Sequence, residues 1–374
     1  MKLIYIDAAR LPTEKAHGYQ ICKMCEEFSS AGLEVVLWVP SRDNEIKQNI
    51  YGYYGLKNNF KIVKLISWNF LKIRKISVKF EYWLRNYIFF FSLLFKNVER
   101  DALVYTRIPE IAFIYNLKGN RVIFESHSWP ESKQNIFKFL TSKSKLIIAI
   151  TKALKNVFVE NYFPENKILV APDGVDFEKF DLVILKDEAR RKINLPNDKK
   201  IILYTGHLYG WKGAQILADA SEFLSNNELI IFVGGTDMDL VEFRKRNQDK
   251  KNILIVGQKK YSEMPFYMKA ADILILPNSG KEDISHFYTS PLKLFEYMAS
   301  RTPVIASDLP SIREILSEKN CLFFKPDDPD DLAKKIEILL NSEEIAAEIA
   351  EQAYEDAKNY TWEKRAINII NFIK

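Results

Sequence analysis

Along the chain, short apolar runs alternate with segments of helical periodicity. KLIYIDA, EVVLWVP, FKIVKLI, ALVYTR, RVIFESH, KLIIAIT and KILVAP occupy the first half. KIILYTG, ELIIFVGG, NILIVG, DILILPN, PVIASD and CLFFKP occupy the second. Each run is apolar almost without a break, where a strand with one wet face would alternate. Continuous apolarity belongs to parallel strands covered on both faces. Two such arrays predict an α/β protein of two doubly wound, Rossmann-like domains. A Pro-Asp-Gly turn in APDGVDFEKF closes the first array. The expected domains are therefore 1–175 and 176–358. An amphipathic helix, 359–374, closes the chain and is expected to pack back on the first domain.

A chain of 374 residues has room for two cores. Its three cysteines form no disulfide framework, which points to free thiols and a reducing compartment. Cys22 and Cys25 spell C-x-x-C, but they lie among Ile21, Met24 and Phe28 in a helical pattern, so packing is the reading. The first residues read as a strand rather than a leader peptide, and IFFFSLLF is far too short to span a bilayer. A cytoplasmic location is expected.

The net charge of +5 is uneven. Residues 1–180 hold 27 Lys and Arg against 18 Asp and Glu, a net +9, whereas 181–374 carry −4. A basic first half favours anionic partners. Nine of those 27 cations fall in 60–100, interleaved with Trp, Tyr and Phe. Two readings stand for this segment: contact with an anionic membrane surface on the inner face, or a core helix with a solvated basic side. No recognition motif accompanies the charge, so nucleic acid is not expected as a partner.

Open α/β sheets bind ligands beyond the carboxyl ends of their strands, so a cleft between two such edges is the expected site. SPLKLFEYMA reads as a helix with Ser290 as N-cap and Pro291 at N1. Its first amides, near Leu292 and Lys293, form an anion site, and Lys293 adds a full charge. Glu296 lies five residues after Pro291, about 7.5 Å along the axis, placed to accept two hydroxyls of a ribose; the other reading is a capped structural helix with a surface Lys–Glu pair. TGHLYGWKG follows a strand, with Gly206, Gly210 and Gly213 for close approach and Lys212 for a phosphate. It lacks the Walker A spacing. In the first half, Gly18 with His17 follows strand one, and Glu125 and His127 close RVIFESH. The four histidines (His17, His127, His207 and His286) all fall at or near expected cleft positions.

These motifs, in this order, resemble the retaining family-4 glycosyltransferases of the GT-B fold. GHLYGWKG, VGQKKYSEMPFYMKAADILILP and SPLKLFEYMASRTPVIASDLPSIREI carry the likeness, and IIAITKALKNVFVENYFPENKILVAPDGVDFEKF resembles the end of that family's first domain. The Ser-Pro-x-Lys opening suggests an SPxKxxEYMA-type subgroup. The resemblance implies that Lys212 is the family's phosphate-binding lysine, while His207 stands where its arginine would be. It implies that Glu296 holds the donor ribose and that Tyr288 replaces the glutamate that normally meets the donor sugar. Pro291 takes the place of a glycine. Gly18 matches the glycine loop that approaches the diphosphate, His127 the histidine near the reacting sugar, and Gln258, after Gly257, the place where the base is held.

The implied reaction moves a sugar from a nucleoside diphosphate sugar to a hydroxyl of a glycan or lipid-linked acceptor, with retention. The growing diphosphate charge falls to Lys212, Lys293, His207 and helix amides. No cofactor is implied, and no metal: there is no DxD at a strand end, and the DPDD at 328–331 reads as a helix cap. No nucleophile stands out. Glu125 and His127 are the acceptor-side pair, with His17 nearby. By family habit the setting is bacterial envelope polysaccharide or glycolipid synthesis. Two rivals remain, a sugar-nucleotide epimerase of the same fold and a non-catalytic sugar-nucleotide or glycan-binding protein.

Overall fold

The structure, a computed structural model, describes residues 1–66 and 78–374. The middle of the basic aromatic segment expected at 60–100 lies outside the described residues. The chain divides into two compact units, Met1–Pro172 with Trp362–Lys374, and Asp173–Thr361.

In the first unit the strands are β1 (Lys2–Ile6), β2 (Glu34–Ser41), β3 (Lys61–Ile66), β4 (Leu103–Thr106), β5 (Arg121–Ser126), β6 (Leu146–Ala149) and β7 (Ile168–Val170). They form a parallel sheet in the order β3-β2-β1-β4-β5-β6-β7. In the second unit β8 (Lys200–Thr205), β9 (Glu228–Val233), β10 (Ile253–Gly257), β11 (Ile273–Leu276), β12 (Val304–Ser307) and β13 (Leu322–Phe324) run parallel in the order β10-β9-β8-β11-β12-β13. Both orders reverse direction beside the unit's first strand, which makes β1/β4 and β8/β11 the switch points where such sheets take ligands.

The apolar runs are strands because both of their faces are covered. Ile201 and Leu203 of β8 enter one core of the second unit, and Ile202 and Tyr204 enter the other. β11 divides likewise, with Leu274 and Leu276 on one side and Ile273 and Ile275 on the other. Side chains that alternate across the sheet but are apolar throughout demand helices on both faces. The helix Leu292–Ala299 fills the first core, and Leu332, Ala333 and Ile336 of the helix Pro329–Asn341 line the second. Asp328 caps that second helix by accepting from Asp331 N–H at 3.1 Å, so the DPDD run is a cap.

The closing helix, Trp362–Ile373, packs against the helix Ala16–Ser30 of the first unit. Its buried stripe is Trp362, Arg365, Ala366, Ile369, Ile370 and Ile373, at helical spacing with one charge in it. Cys22, Cys25 and Cys321 are free and buried, and burial pushes all three thiols up, as packing residues require. Among the described residues no helix is long and apolar enough to cross a membrane.

Candidate functional site

At the β8/β11 switch point the backbone does much of the positioning. Gly206 ends β8 at φ +125°, and its N–H donates to Val233 O at 2.8 Å. Gly234 N–H donates in turn to Gly257 O at 2.8 Å. A Cβ on Gly234 would stand 2.3 Å from Gly206 O, so Gly234 admits no side chain, and Gly206, Gly234 and Gly257 line the ends of β8, β9 and β10, each at positive φ. The Gly210–Lys212 turn then brings Gly213, at φ +69°, against Pro277 after β11; a Cβ there would lie 1.6 Å from Pro277 O. Ser279 N–H closes the seam by donating to Trp211 O at 2.9 Å.

Above these glycines stands the helix Leu292–Ala299. Lys293 is only 8% exposed, and its Nζ sits 3.8 Å over the Tyr204 ring with no hydrogen-bond partner among the described residues. Burial drives its pKa well below the ordinary lysine value, and the Lys212 charge adds to that. Lys212, 5.1 Å from the Trp211 ring, is pushed down to about 8 by burial, with Glu296 opposing. Glu296 is 6% exposed and accepts from the Tyr261 hydroxyl at 2.7 Å. Burial lifts it to about 7, against Tyr261, Lys179 and both lysines. Three ionisable groups perturbed by one another at a strand-end switch point make this the candidate functional site.

Two expectations about this helix need correction. Ser290 is not its N-cap, because Ser290 Oγ accepts from Asp173 N–H at 2.9 Å. Pro291 is not inside the helix but in extended backbone just ahead of it, and Leu294 N–H closes on its carbonyl at 2.9 Å. Helix geometry then leaves the Leu292 and Lys293 amides outermost. His207 stacks flat on Tyr209, ring centroids 4.9 Å apart, and Tyr204 donates its hydroxyl to His207 O at 2.5 Å. Gln258 is exposed beyond Gly257, and Tyr288 is half-buried beside Phe287. His286 ends the short helix Asp283–His286 and packs edge-on to Phe287.

The first unit gathers a second cluster at the carboxyl ends of β4 and β5. Glu125 is 1% exposed and takes hydrogen bonds from Arg365 Nη2 at 3.0 Å, the Tyr105 hydroxyl and Gln20 Nε2 at 3.4 Å. His127 Nε2 lies 2.6 Å from Glu125 Oε1, and Arg107, bonded to Gln20 at 2.5 Å, stands 3.9 Å from the same oxygen. Burial alone would raise the Glu125 carboxyl; Arg365, His127 and Arg107 outweigh it and hold it well below the usual range. Glu125 is thus held as an anion by the cations packed around it. His127 keeps a quarter of its side chain exposed, and burial and Arg107 lower it to about 4.

Nearby expectations shift as well. His17 and Gly18 are not in a loop but in the first turn of the helix Ala16–Ser30. Gly18 N–H is spent on Lys15 O at 3.0 Å. A Cβ on Gly18 would meet Tyr54 Oη at 2.3 Å and Thr13 Cγ2 at 2.4 Å, so its smallness serves packing.

Residues 186–356 match the family described as glycosyl transferases group 1. The matched residues lie within the second unit. An uncharacterized glycosyltransferase of Methanocaldococcus jannaschii is 29% identical over 62% of this chain and 60% of its own length. The UDP-Gal:alpha-D-GlcNAc-diphosphoundecaprenol alpha-1,3-galactosyltransferase of Escherichia coli is 30% identical over 40% of this chain and 39% of its own. The chain thus spans less than two thirds of the length of either relative. Sucrose-phosphate synthase from Thermosynechococcus elongatus superposes with a TM-score of 0.79 at 17% identity, covering 100% of this chain and 98% of that one. The fold is GT-B.

Within the matched residues, Lys212, Lys293 and Glu296 share one electrostatic environment. Tyr261 and Gly234 were missed. The signal for each was position alone: both follow the carboxyl end of a strand, where side chains and bare backbone reach ligands. Arg365 had a clearer signal, a charge on the apolar stripe of an amphipathic helix, which requires a buried partner.

Proposed function

We propose that this protein is a retaining, metal-independent glycosyltransferase. It moves a sugar from a nucleoside diphosphate sugar to an acceptor hydroxyl in bacterial envelope polysaccharide or glycolipid synthesis. The observation that carries the reading is Lys293: a buried ammonium without a hydrogen-bond partner among the described residues, at the start of a helix, coupled to Lys212 and Glu296. Such a group is costly unless a ligand supplies the counter-charge. A diphosphate does so, and the outermost amides of the same helix favour it.

The chemistry follows from the charges. As the bond from the anomeric carbon to the diphosphate breaks, negative charge grows on the leaving oxygen, and the two lysines stabilise it. The acceptor hydroxyl forms its new bond on the same face and passes its proton to the leaving phosphate, which gives retention without a protein nucleophile. Glu296, ionised, holds two ribose hydroxyls. His127, partly exposed beside Glu125, is the group we assign to the acceptor side. The likeness to a relative named for a diphosphoundecaprenol substrate supports a lipid-linked acceptor.

The same reading puts the protein on an anionic membrane surface, through the described end of the segment expected from sequence and through residues beyond it. The helices Val78–Leu94, Pro109–Leu117 and Gln134–Thr141 pack side by side in the first unit. They and their flanks expose Tyr87, Phe91, Phe95, Ile136 and Phe139, and Tyr162, after the helix Lys152–Glu160, is exposed beside Lys138. Residues 78–167 carry 14 Lys and Arg against 8 Asp and Glu, so the apolar face is set in a basic field.

The test is a thermal-shift panel of UDP, GDP, ADP, TDP and their sugars on wild type and Glu296→Ala. Saturation at about 100 times Kd should add about 2.7 kcal/mol. One base standing out in the wild type, with loss in the variant, supports the reading. A flat panel on folded protein overturns it in favour of a binding protein for some other ligand. Product analysis with the selected donor then separates a transferase from an epimerase, which would need no acceptor.

A further inference from the structure

The Glu125 cluster assembles from five places in the first unit: the helix Ala16–Ser30 (Gln20), β4 (Tyr105), the residue after β4 (Arg107), β5 with its following residue (Glu125 and His127), and the closing helix (Arg365). Arg365 is 5% exposed and anchored on Pro172 O, Ala171 O and Glu125. Its Nε donates to Pro172 O at 2.9 Å, and its Nη2 reaches Ala171 O at 3.2 Å and Glu125 Oε2 at 3.0 Å. A planar guanidinium fixed at one edge of a carboxylate leaves the other edge in a set orientation. That other edge, Oε1, is where His127 Nε2 sits at 2.6 Å.

We propose that Arg365 is a positioning residue for His127: by pinning the ionised Glu125 it holds the imidazole in the tautomer that carries its proton on Nε2. Glu125 in this state only accepts, so the facing ring nitrogen must donate, and Nδ1 of the neutral ring is left as an acceptor. The consequence for substrate is specific. His127 takes a hydrogen bond from a hydroxyl of the sugar or acceptor; it does not give one. The inference rests on the reading of His127 as a group of the transfer site.

The charged and titratable groups around the ring are Glu125 on β5, Arg107 after β4, Arg365 on the closing helix, Tyr105 on β4, and Asp7 after β1, which acts on Glu125 and Arg107. Arg365 and Arg107 disfavour the imidazolium, and Glu125 favours it. Removing Arg365 takes away one cation and leaves the carboxylate less compensated, so both changes raise the proton affinity of His127.

The experiment is an NMR titration of the full chain, with the His127 ring signals assigned by their loss in His127→Gln. In wild type the ring should stay neutral down to about pH 4, with the proton on Nε2 by its nitrogen shifts. In Arg365→Met the midpoint should move up by at least one pH unit and the tautomers should mix, while Arg365→Lys should restore most of the shift. An unmoved midpoint and tautomer in a folded Arg365→Met overturns the proposal. Should Arg365→Met not fold, Glu125→Gln replaces it: its neutral amide can face Nε2 with oxygen or nitrogen, so the tautomers should mix there too, and an unmixed Nε2 proton overturns the proposal. Transfer assays on His127→Gln test the underlying reading separately. Full activity there removes the role of His127, whatever the titration shows.

Discussion

The Tyr261 hydroxyl donates to Glu296 Oε1 across 2.7 Å, joining the turn after β10 to the helix that starts at Leu292. Glu296 is buried and lifted to about 7, and Tyr261 opposes that lift. Ribose binding needs the ionised carboxylate, so donor affinity should rise with pH through about 7 and level off above it. Tyr261→Phe removes a stabiliser of the anion, so the rise should shift to higher pH. Calorimetric Kd values at pH 6, 7 and 8.5 read this directly; a pH-independent affinity in both proteins contradicts it.

Stability should move the opposite way at the same residue. The folded pKa of Glu296 lies above its unfolded value of about 4.3. The folded state therefore holds the extra proton, and this contribution is full below pH 4.3 and lost as pH rises to about 7. Glu296→Gln keeps an acceptor for Tyr261 but has nothing to titrate. Denaturant midpoints should fall less between pH 5 and 8 in the variant than in wild type, while its donor binding is lost.

Lys293→Met replaces a buried ammonium that makes no hydrogen bond among the described residues with an apolar chain of similar length. Removing such a charge should leave stability unchanged or raise it by about 1–2 kcal/mol. Turnover should fall by roughly a hundredfold, the loss typical for a group that meets transition-state charge. A variant that is both unstable and inactive would mark Lys293 as structural.

Gly213→Ala and Gly210→Ala make a matched pair on one loop. At Gly213 the new Cβ meets Pro277 backbone, and φ is +69°. At Gly210 nothing lies within 4 Å. The first should cost more than about 2 kcal/mol, since backbone strain adds to a clash that cannot relax. The second should lie within about 0.5–1 kcal/mol of wild type. Thermal unfolding compares them.

Membrane contact is checked by co-sedimentation with anionic and with neutral vesicles. Wild type should bind the anionic ones, and added salt should weaken binding. Phe91→Ser combined with Phe139→Ser should abolish it while the nucleotide thermal shift stays intact. Binding that survives both changes would take the aromatic face out of the account.

Thirteen strands were legible as apolar runs, because a strand covered on both faces announces itself locally whatever its partners are. The Lys293–Glu296 spacing was legible too, since a helix sets the separation of its own residues. Ser290 misled for a related reason: Ser-Pro is a good local cap signal, but Asp173, 117 positions away, takes its oxygen. The loop expected around Gly18 was likewise a helix, whose glycine lies close against Tyr54 and Thr13.

By itself the amino-acid sequence determined where strands and helices run, and so which loops reach the carboxyl edges of the two sheets. Hydrophobic periodicity and chain geometry are local, and they need no knowledge of the rest of the molecule. Only the tertiary structure decided the partners that set the chemistry: Arg365 on Glu125 over 240 positions, Tyr261 on Glu296, and Lys293 over Tyr204 with no acceptor among the described residues. Proton affinity and tautomer depend on burial and on charges brought close by the fold, and neither is written in the order of residues.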